Sequence, residues 1–219
     1  MKFIIPAKSN SLRVINKNFR EFYQGQSLVD IVIQKLLVAG VDSSDIFLST
    51  DSEDIGREKR DLWGINFIKR DKSLCDNNVP LTTWIREITG QVTKDEDVAW
   101  CQVCDPLFDG YADCLWTWKN KSKNSDSLVV CYPWTGYLMT DKSMPVGWSF
   151  GEHHTPSQNL PKFRTMPFTF SILSQSAIKS TGYHIGRNPI WHEFLGKHID
   201  IDTEEDFQIA RLYYQIKNE

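Results

Sequence analysis

The stretch "IPAKSNSLRVINKN", Ile5 to Asn18, contains no glycine, which excludes a standard glycine-rich phosphate cradle directly after the first apolar run. No apolar run approaches the roughly 20 residues of a membrane-spanning helix. A secretory leader is not expected either, because the apolar stretch after Lys2 stops at Pro6. A soluble, cytoplasmic protein is the expectation. Basic excess is also lacking: 25 Lys and Arg against 28 Asp and Glu leave a formal net charge of -3, which argues against a general nucleic-acid binder. Five cysteines include a single C-x-x-C, Cys101 to Cys104. It lies in "DVAWCQVCDPLF", which reads as a buried strand, and residues three apart on a strand face opposite sides. The thiols therefore read as small core residues rather than a metal or redox pair. The five histidines show no ligand spacing, and no nucleophile elbow accompanies the Ser, His and Asp inventory.

What is present is a regular alternation. Residues 2–6 read as a strand followed by a polar loop carrying Lys8, Arg13 and Lys17. "SLVDIVIQKLLVAG" has helical apolar spacing, with Leu28, Ile31, Val32, Lys35, Leu36 and Ala39 on one side and a stop at Gly40. "DIFLSTD" (45–51) reads as a strand whose Ser-Thr-Asp caps the helix "EDIGREKRDLWG", and "INFIKRD" (65–71) as a third strand. "PLTTWIREITGQV" reads as a helix opened by Pro80, and residues 97–103 as a fourth strand broken at Asp105-Pro106. "YADCLWTWKNK" is helical and "DSLVVCYPW" another strand. From Trp134 to Pro167 no period survives. Loops of that length are usually functional, and an interface or an acceptor-side element is expected there. Strand and helix return over 168–182. A short strand then meets Thr203, which caps a final helix together with Asp206. The alternation predicts one α/β domain over 1–219 with a mostly parallel, helix-flanked twisted sheet.

Asp200-Ile-Asp202 ends that last expected strand. Residues two apart on a strand face one way, so both carboxylates can converge on a point, and paired hard oxygens beside phosphates suit Mg²⁺. The alternative reading is a capping Asp202 beside a solvated Asp200.

Five ordered segments resemble the acylneuraminate cytidylyltransferases (CMP-sialic acid synthetases) and, more distantly, the CMP-KDO synthetases. "IPAKSNSLRVINKN" resembles that family's phosphate-binding loop, with Lys8 where the family usually has Arg. "IKRDKSLCDNNVP" is similar to its R-P-x-x-L-A-x-D stretch, and "WCQVCDPLF" shares Gln, Pro and Leu with L-L-Q-P-T-S-P-L-R. "QNLPKFRTMPFTFSIL" and "DIDTEEDFQIA" are similar to Q-x-L-P-x-x-Y-R-x-N-G-A-I-Y-I and D-I-D-T-P-E-D-L-x-x-A.

The resemblance implies a nucleotidyltransferase (Rossmann-like) fold with a protruding dimerisation element at 134–167, and so a homodimer. It implies transfer of CMP from CTP to a 2-keto sugar acid, with Mg²⁺ and release of pyrophosphate, as in sugar-acid activation for surface polysaccharides. Ala7, Lys8, Asn10, Ser11, Arg13, Lys17, Asn18, Arg70, Asn78 and Val79 would bind the nucleotide, with Lys8, Lys17 and Asp202 catalytic. Gln102 and Arg164 would reach the acidic acceptor, and Asp200, Asp202 and Asp105 would hold the metal. Asp76 would be structural. The chemistry agrees: phosphoryl transfer asks for cations and backbone N–H groups around the phosphates and little covalent work. Two other readings stay open. One is a glycosyltransferase using the D-x-D motif, and the other is a nucleotide-binding protein without catalysis.

Overall fold

The computed structural model of the protein describes residues 1–11, 13–76 and 78–219. Its first strand, β1 (Lys2–Pro6), is buried on both sides. Phe3 and Ile5 enter one core while Ile4 enters the other. A continuous apolar run is what a central parallel strand with both faces covered requires.

β1 lies between β4 (Ile46–Thr50) and β6 (Val98–Cys101), parallel to both, and β5 (Asn66–Lys69) extends the sheet beyond β4. On the far side come β9 (Phe170–Leu173), β7 (Ser127–Trp134) and β10 (Pro189–Glu193), giving the order β10-β7-β9-β6-β1-β4-β5, with β8 (Phe163–Thr165) paired to β7. A small separate hairpin joins β2 (Glu21–Tyr23) and β3 (Gln26–Ser27).

Helices α1 (Leu28–Val38), α2 (Glu53–Trp63), α3 (Leu81–Val92), α4 (Tyr111–Lys119), α5 (Gln175–Ser180) and α6 (Glu204–Asn218) connect or flank the strands. Residues of α1, α4 and α6 contribute to the larger core, and residues of α3 and α5 to the smaller one. α1 starts where its sequence demands. Ser27 and Asp30 form a reciprocal capping box, and Leu28, Ile31, Val32 and Leu36 are buried as their spacing predicts. Thr203 and Asp206 form the expected box at α6. α2 is capped by Ser52 rather than by the Ser-Thr-Asp before it. It packs so closely on β5 that a Cβ on Gly56 would stand 2.2 Å from the Phe67 ring.

The mostly parallel sheet is confirmed, with two reversed strands: β9 runs antiparallel to both β6 and β7, and β8 antiparallel to β7. No helix intervenes between β7 and β9. The chain leaves β7, makes the irregular excursion between Trp134 and Phe163, comes back as β8 against Tyr132–Trp134 and continues into β9, and a return without a crossover helix is antiparallel. β10, unanticipated from the sequence, then pairs parallel to β7. The strand expected just before Thr203 is absent: residues 198–202 belong to no strand.

The stretch from Trp134 to Pro167 is irregular as expected, with short 3-10 turns at Gly151–His153 and Ser157–Asn159. Tyr137, Trp148, Phe150 and His154 pack on one another there as a small aromatic group. No helix among the described residues is long and apolar enough to cross a membrane.

Candidate active site

A cleft of about 710 Å³ opens beyond the C-terminal ends of β1, β5 and β6, the edge where open α/β sheets bind ligands. Its walls include Lys8, Ser11, Arg13 and Lys17 from the loop after β1, Arg70 from the end of β5, and Gln102 from the end of β6.

The loop after β1 is held by side chains rather than by glycines. Ala7 is buried, and its N–H continues the ladder to Ser49 O at 3.0 Å. Asp51, just past β4, accepts the Ser9 N–H at 2.7 Å and the Ser9 hydroxyl at 2.8 Å. Burial pushes the Asp51 carboxyl upward, but the two bonds from Ser9 outweigh it and leave it below its ordinary value. From the other side, buried Asn18 donates its amide to Lys8 O at 2.9 Å. Asn18 thus lines the cleft and straps the loop at the same time. Asp51 was missed by sequence reasoning, because its meeting with Ser9 depends on the parallel register that sets Pro6 beside Ser49. Asn10 lies on the same loop, outside the cleft wall.

Arg70 is 6% exposed and donates to Ser49 O at 2.9 Å and Ser49 Oγ at 3.3 Å. Its guanidinium stands over the Trp84 ring at 5.6 Å. Burial lowers its pKa, and the neighbouring Cys75 and Asp51 pull the other way. Trp84 and Cys75 also line the cleft. Val79 lines it too, but Asn78 does not. The Asn78 N–H is taken by Asp76 Oδ1 at 2.8 Å, and the Val79 N–H points to Asp76 O at 3.3 Å. Asp76 thereby organises this turn, and these two amides are already engaged.

The near-terminal carboxylates come to the same place. Asp202 pairs with Arg13 at 2.8 Å, and Lys17 Nζ donates to Ile201 O at 2.6 Å. Residues about 184 positions apart in sequence meet at the cleft rim. Burial raises the Asp200 carboxyl; the Cys104 thiol and Lys17 lower it, while Asp202 and Asp105 raise it further. Burial likewise lifts the Cys104 thiol well above the usual range, with Asp200 adding to the effect, so Cys104 is a protonated donor rather than a thiolate. Cys101 is buried within β6, and burial alone pushes its thiol up.

Asp200 and Asp202 do not line the wall themselves, and Asp202 reaches it through its pair with Arg13; Arg164 and Asp105 stand elsewhere. Arg164, on β8, is bound to Glu193 of β10 at 2.6–2.7 Å and is not part of the cleft wall. Asp105 is 1% exposed, with Oδ1 accepting from Leu107 N and Ile199 N and Oδ2 from the Tyr132 hydroxyl. Among the described residues, no group of three or more His, Cys, Asp or Glu side chains is placed to hold a metal.

The sheet order and the ligand edge define a nucleotidyltransferase-like fold, and solved structures bear it out. A CMP:2-keto-3-deoxy-manno-octonic acid synthetase complexed with CTP is similar at 12% identity and TM-score 0.71, over 99% of this chain and 98% of that one. A putative glucose-1-phosphate thymidylyltransferase from Bacillus anthracis, in complex with a sucrose, is similar at 14% identity and TM-score 0.66, over 97% and 94%. The 4-diphosphocytidyl-2C-methyl-D-erythritol synthase from Anaerococcus prevotii is similar at 11% identity and TM-score 0.64, over 98% of both. Residues 2–96, which carry the loop after β1 and Arg70, match the cytidylyltransferase family model. That match, on this fold, marks the chain as an enzyme of the nucleotidyltransferase class. No curated protein matches the chain.

Proposed function

We propose that the protein is a CTP-dependent cytidylyltransferase that joins CMP to an acidic acceptor, a 2-keto sugar acid, with Mg²⁺ and release of pyrophosphate. The observation that carries this reading is the meeting of the cationic loop with the Asp200–Asp202 segment, through Arg13 to Asp202 at 2.8 Å and Lys17 to Ile201 O at 2.6 Å. The cytidylyltransferase match over residues 2–96 supports the nucleotide, and the sugar-acid acceptor rests on the motif resemblance.

In the reaction, the acceptor hydroxyl oxygen attacks the α-phosphorus of CTP. The bond from that phosphorus to the bridging oxygen breaks, pyrophosphate leaves with the electron pair, and the hydroxyl proton passes to solvent. Lys8, Arg13 and Lys17 supply positive charge around the phosphates, Ser11 supplies a hydroxyl donor, and Asn10 can add its amide only by turning into the cleft. Lys8 and Lys17 act as point charges without the bidentate fork of an arginine. Arg70 stands at the pyrimidine side beside Trp84 and Val79.

The donor set at Asp200 and Asp202 fits a divalent cation. Mg²⁺ takes one or two carboxylates and fills its shell with phosphate oxygens and water, so a two-carboxylate site is sufficient. The upward push on Asp200 from Asp202 is the like-charge repulsion that a cation relieves. Bound there, the ion would polarise the phosphate and lower the pKa of the attacking hydroxyl. Gln102 offers its amide to the acceptor, and Arg164 can meet an acceptor carboxylate only by leaving Glu193. The exposed Trp134, Tyr137, Met144 and Phe150 support a homodimer through the 134–167 element, in a cytoplasmic enzyme.

The test is a screen of four nucleoside triphosphates against a panel of sugar acids, read by pyrophosphate release. Release with CTP and one acid is expected. Hydrolysis of sugar nucleotides without that release would point to a glycosyltransferase, and binding without turnover to a catalytically silent relative.

A further inference from the structure

The carboxylate pair is carried by a segment that no strand holds. Among the described residues, 198–202 make one backbone–backbone hydrogen bond to the neighbouring chain, from Ile201 N to Cys104 O at 2.9 Å. Lys17 Nζ also holds Ile201 O at 2.6 Å, and Asp202 N donates to Asp206 Oδ2 at 3.2 Å. The buried anchor is Asp105, whose Oδ1 lies 3.4 Å from Ile199 N. Its Oδ2 accepts the Tyr132 hydroxyl at 2.7 Å, and that hydroxyl lies 3.1 Å from the Thr169 hydroxyl. The Tyr132 ring covers the His198 ring at a centroid distance of 3.7 Å. Asp105, Tyr132 and Thr169 are all buried. The turn that carries Asp105 is tied in turn to α1, where Lys35 Nζ donates to Pro106 O and, at 2.7 Å, to Phe108 O.

We propose that Asp105 and Tyr132 form a positioning clamp that presents Asp200 and Asp202 to the cleft, and that Asp105 is not itself a metal ligand. The proposal rests on reading the cleft as a nucleotidyl-transfer site. Its chemical reason is the count of acceptors. Three donors from three places, Leu107 N, Ile199 N and the Tyr132 hydroxyl, converge on one side chain. A carboxylate offers two oxygens and no competing donor, so it satisfies all three where a burial without partners would be costly. Oδ1 accepts two of these bonds and Oδ2 the third, and the side chain is buried and outside the cleft wall.

The test compares Asp105→Asn, Asp105→Ala and Tyr132→Phe by two readouts. One is amide exchange of the peptide spanning residues 198–203. The other is Mn²⁺ binding in the presence of CTP, followed by electron paramagnetic resonance. A clamp predicts that Asp105→Asn stays close to wild type, because its oxygen still accepts from the two N–H groups and its amide can donate to the Tyr132 oxygen. Asp105→Ala speeds exchange over 199–201 and weakens Mn²⁺ by roughly 10–100-fold, as loss of an outer-shell support does. Tyr132→Phe, which keeps the ring on His198, falls between them. If Asn and Ala lose Mn²⁺ alike while exchange stays at the wild-type rate, Asp105 is a ligand and the clamp is overturned. If wild-type protein binds no Mn²⁺ with CTP, the nucleotidyl-transfer reading falls instead, and the exchange rates alone decide the clamp.

Discussion

Replacing Asp202 by Asn keeps the side-chain shape and removes one charge from the rim of the cleft. Its partner Arg13 is 70% exposed and Asp202 itself 48%, so their 2.8 Å pair sits in solvent. Exposed pairs of this kind contribute about 0.2–1 kcal/mol. For a chain of this length 1 kcal/mol corresponds to roughly 2–4 °C, so the melting temperature should fall by no more than about 4 °C. The catalytic loss is expected on a different scale. Removing one preorganised charge or donor from a transition state costs about 2.7–4 kcal/mol, or roughly 10²–10³ in kcat. CTP affinity should persist, because the proposed reading assigns it mainly to Lys8, Lys17 and Arg70. Pyrophosphate release gives kcat, titration calorimetry gives CTP binding, and scanning calorimetry gives Tm. Turnover within about threefold of wild type would refute the metal-holding role, since about 0.65 kcal/mol is all that such a ratio represents. A melting temperature that collapses together with activity would show instead that Asp202 is structural.

Lys8→Ala and Lys17→Ala should each raise the KM for CTP, Lys17→Ala with the additional loss of its hold on Ile201 O, and an unchanged KM in both would remove the loop after β1 from nucleotide binding. Lys59→Met should lower Tm by roughly 6–20 °C, because it leaves buried Asp30 without its ammonium partner at 2.9 Å, a loss worth about 3–5 kcal/mol; a shift under about 3 °C would refute the pairing. His184 gives a pH prediction. Burial among Trp84, Trp100 and Phe168 lowers its pKa from the ordinary 6.5 to about 4. Between those two values the unfolded chain binds the proton and the folded protein does not, so stability falls as pH drops through this window, by about 1.4 kcal/mol per unit. Urea unfolding of wild type and His184→Phe at pH 7 and pH 5 should show a smaller acid loss in the variant, and equal losses would refute the assignment. Trp134→Asp with Phe150→Asp should shift a dimer to monomer in sedimentation, and an unchanged mass in a wild-type dimer would place the interface elsewhere.

The features legible in the sequence are those fixed by neighbours a few residues away. The Ser27–Asp30 and Thr203–Asp206 capping boxes are such features, as is the apolar face of α1, because both ends of each interaction lie within one or two helical turns. The β1 run "FIIP" reads correctly for a similar reason: a strand buried on both faces announces itself by composition. The missed features lack any local signal. β10 carries "PIWHE", half-exposed at a sheet edge, so no clean alternation marks it. The antiparallel course of β9 follows from the chain returning beside β7 after the irregular excursion beyond Trp134, with no crossover α-helix, which composition does not encode.

The sequence by itself determined a helix-flanked, mostly parallel α/β chain with cations after its first strand and paired carboxylates near its end. Only the tertiary structure decided that Asn18 and Asp51 shape the loop, that Arg164 answers Glu193, that Asp105 faces inward, and that Arg13 reaches Asp202. Local patterns are set by backbone periodicity over a few residues. Contacts between distant residues are set by strand order and register, which emerge only when the whole sheet packs.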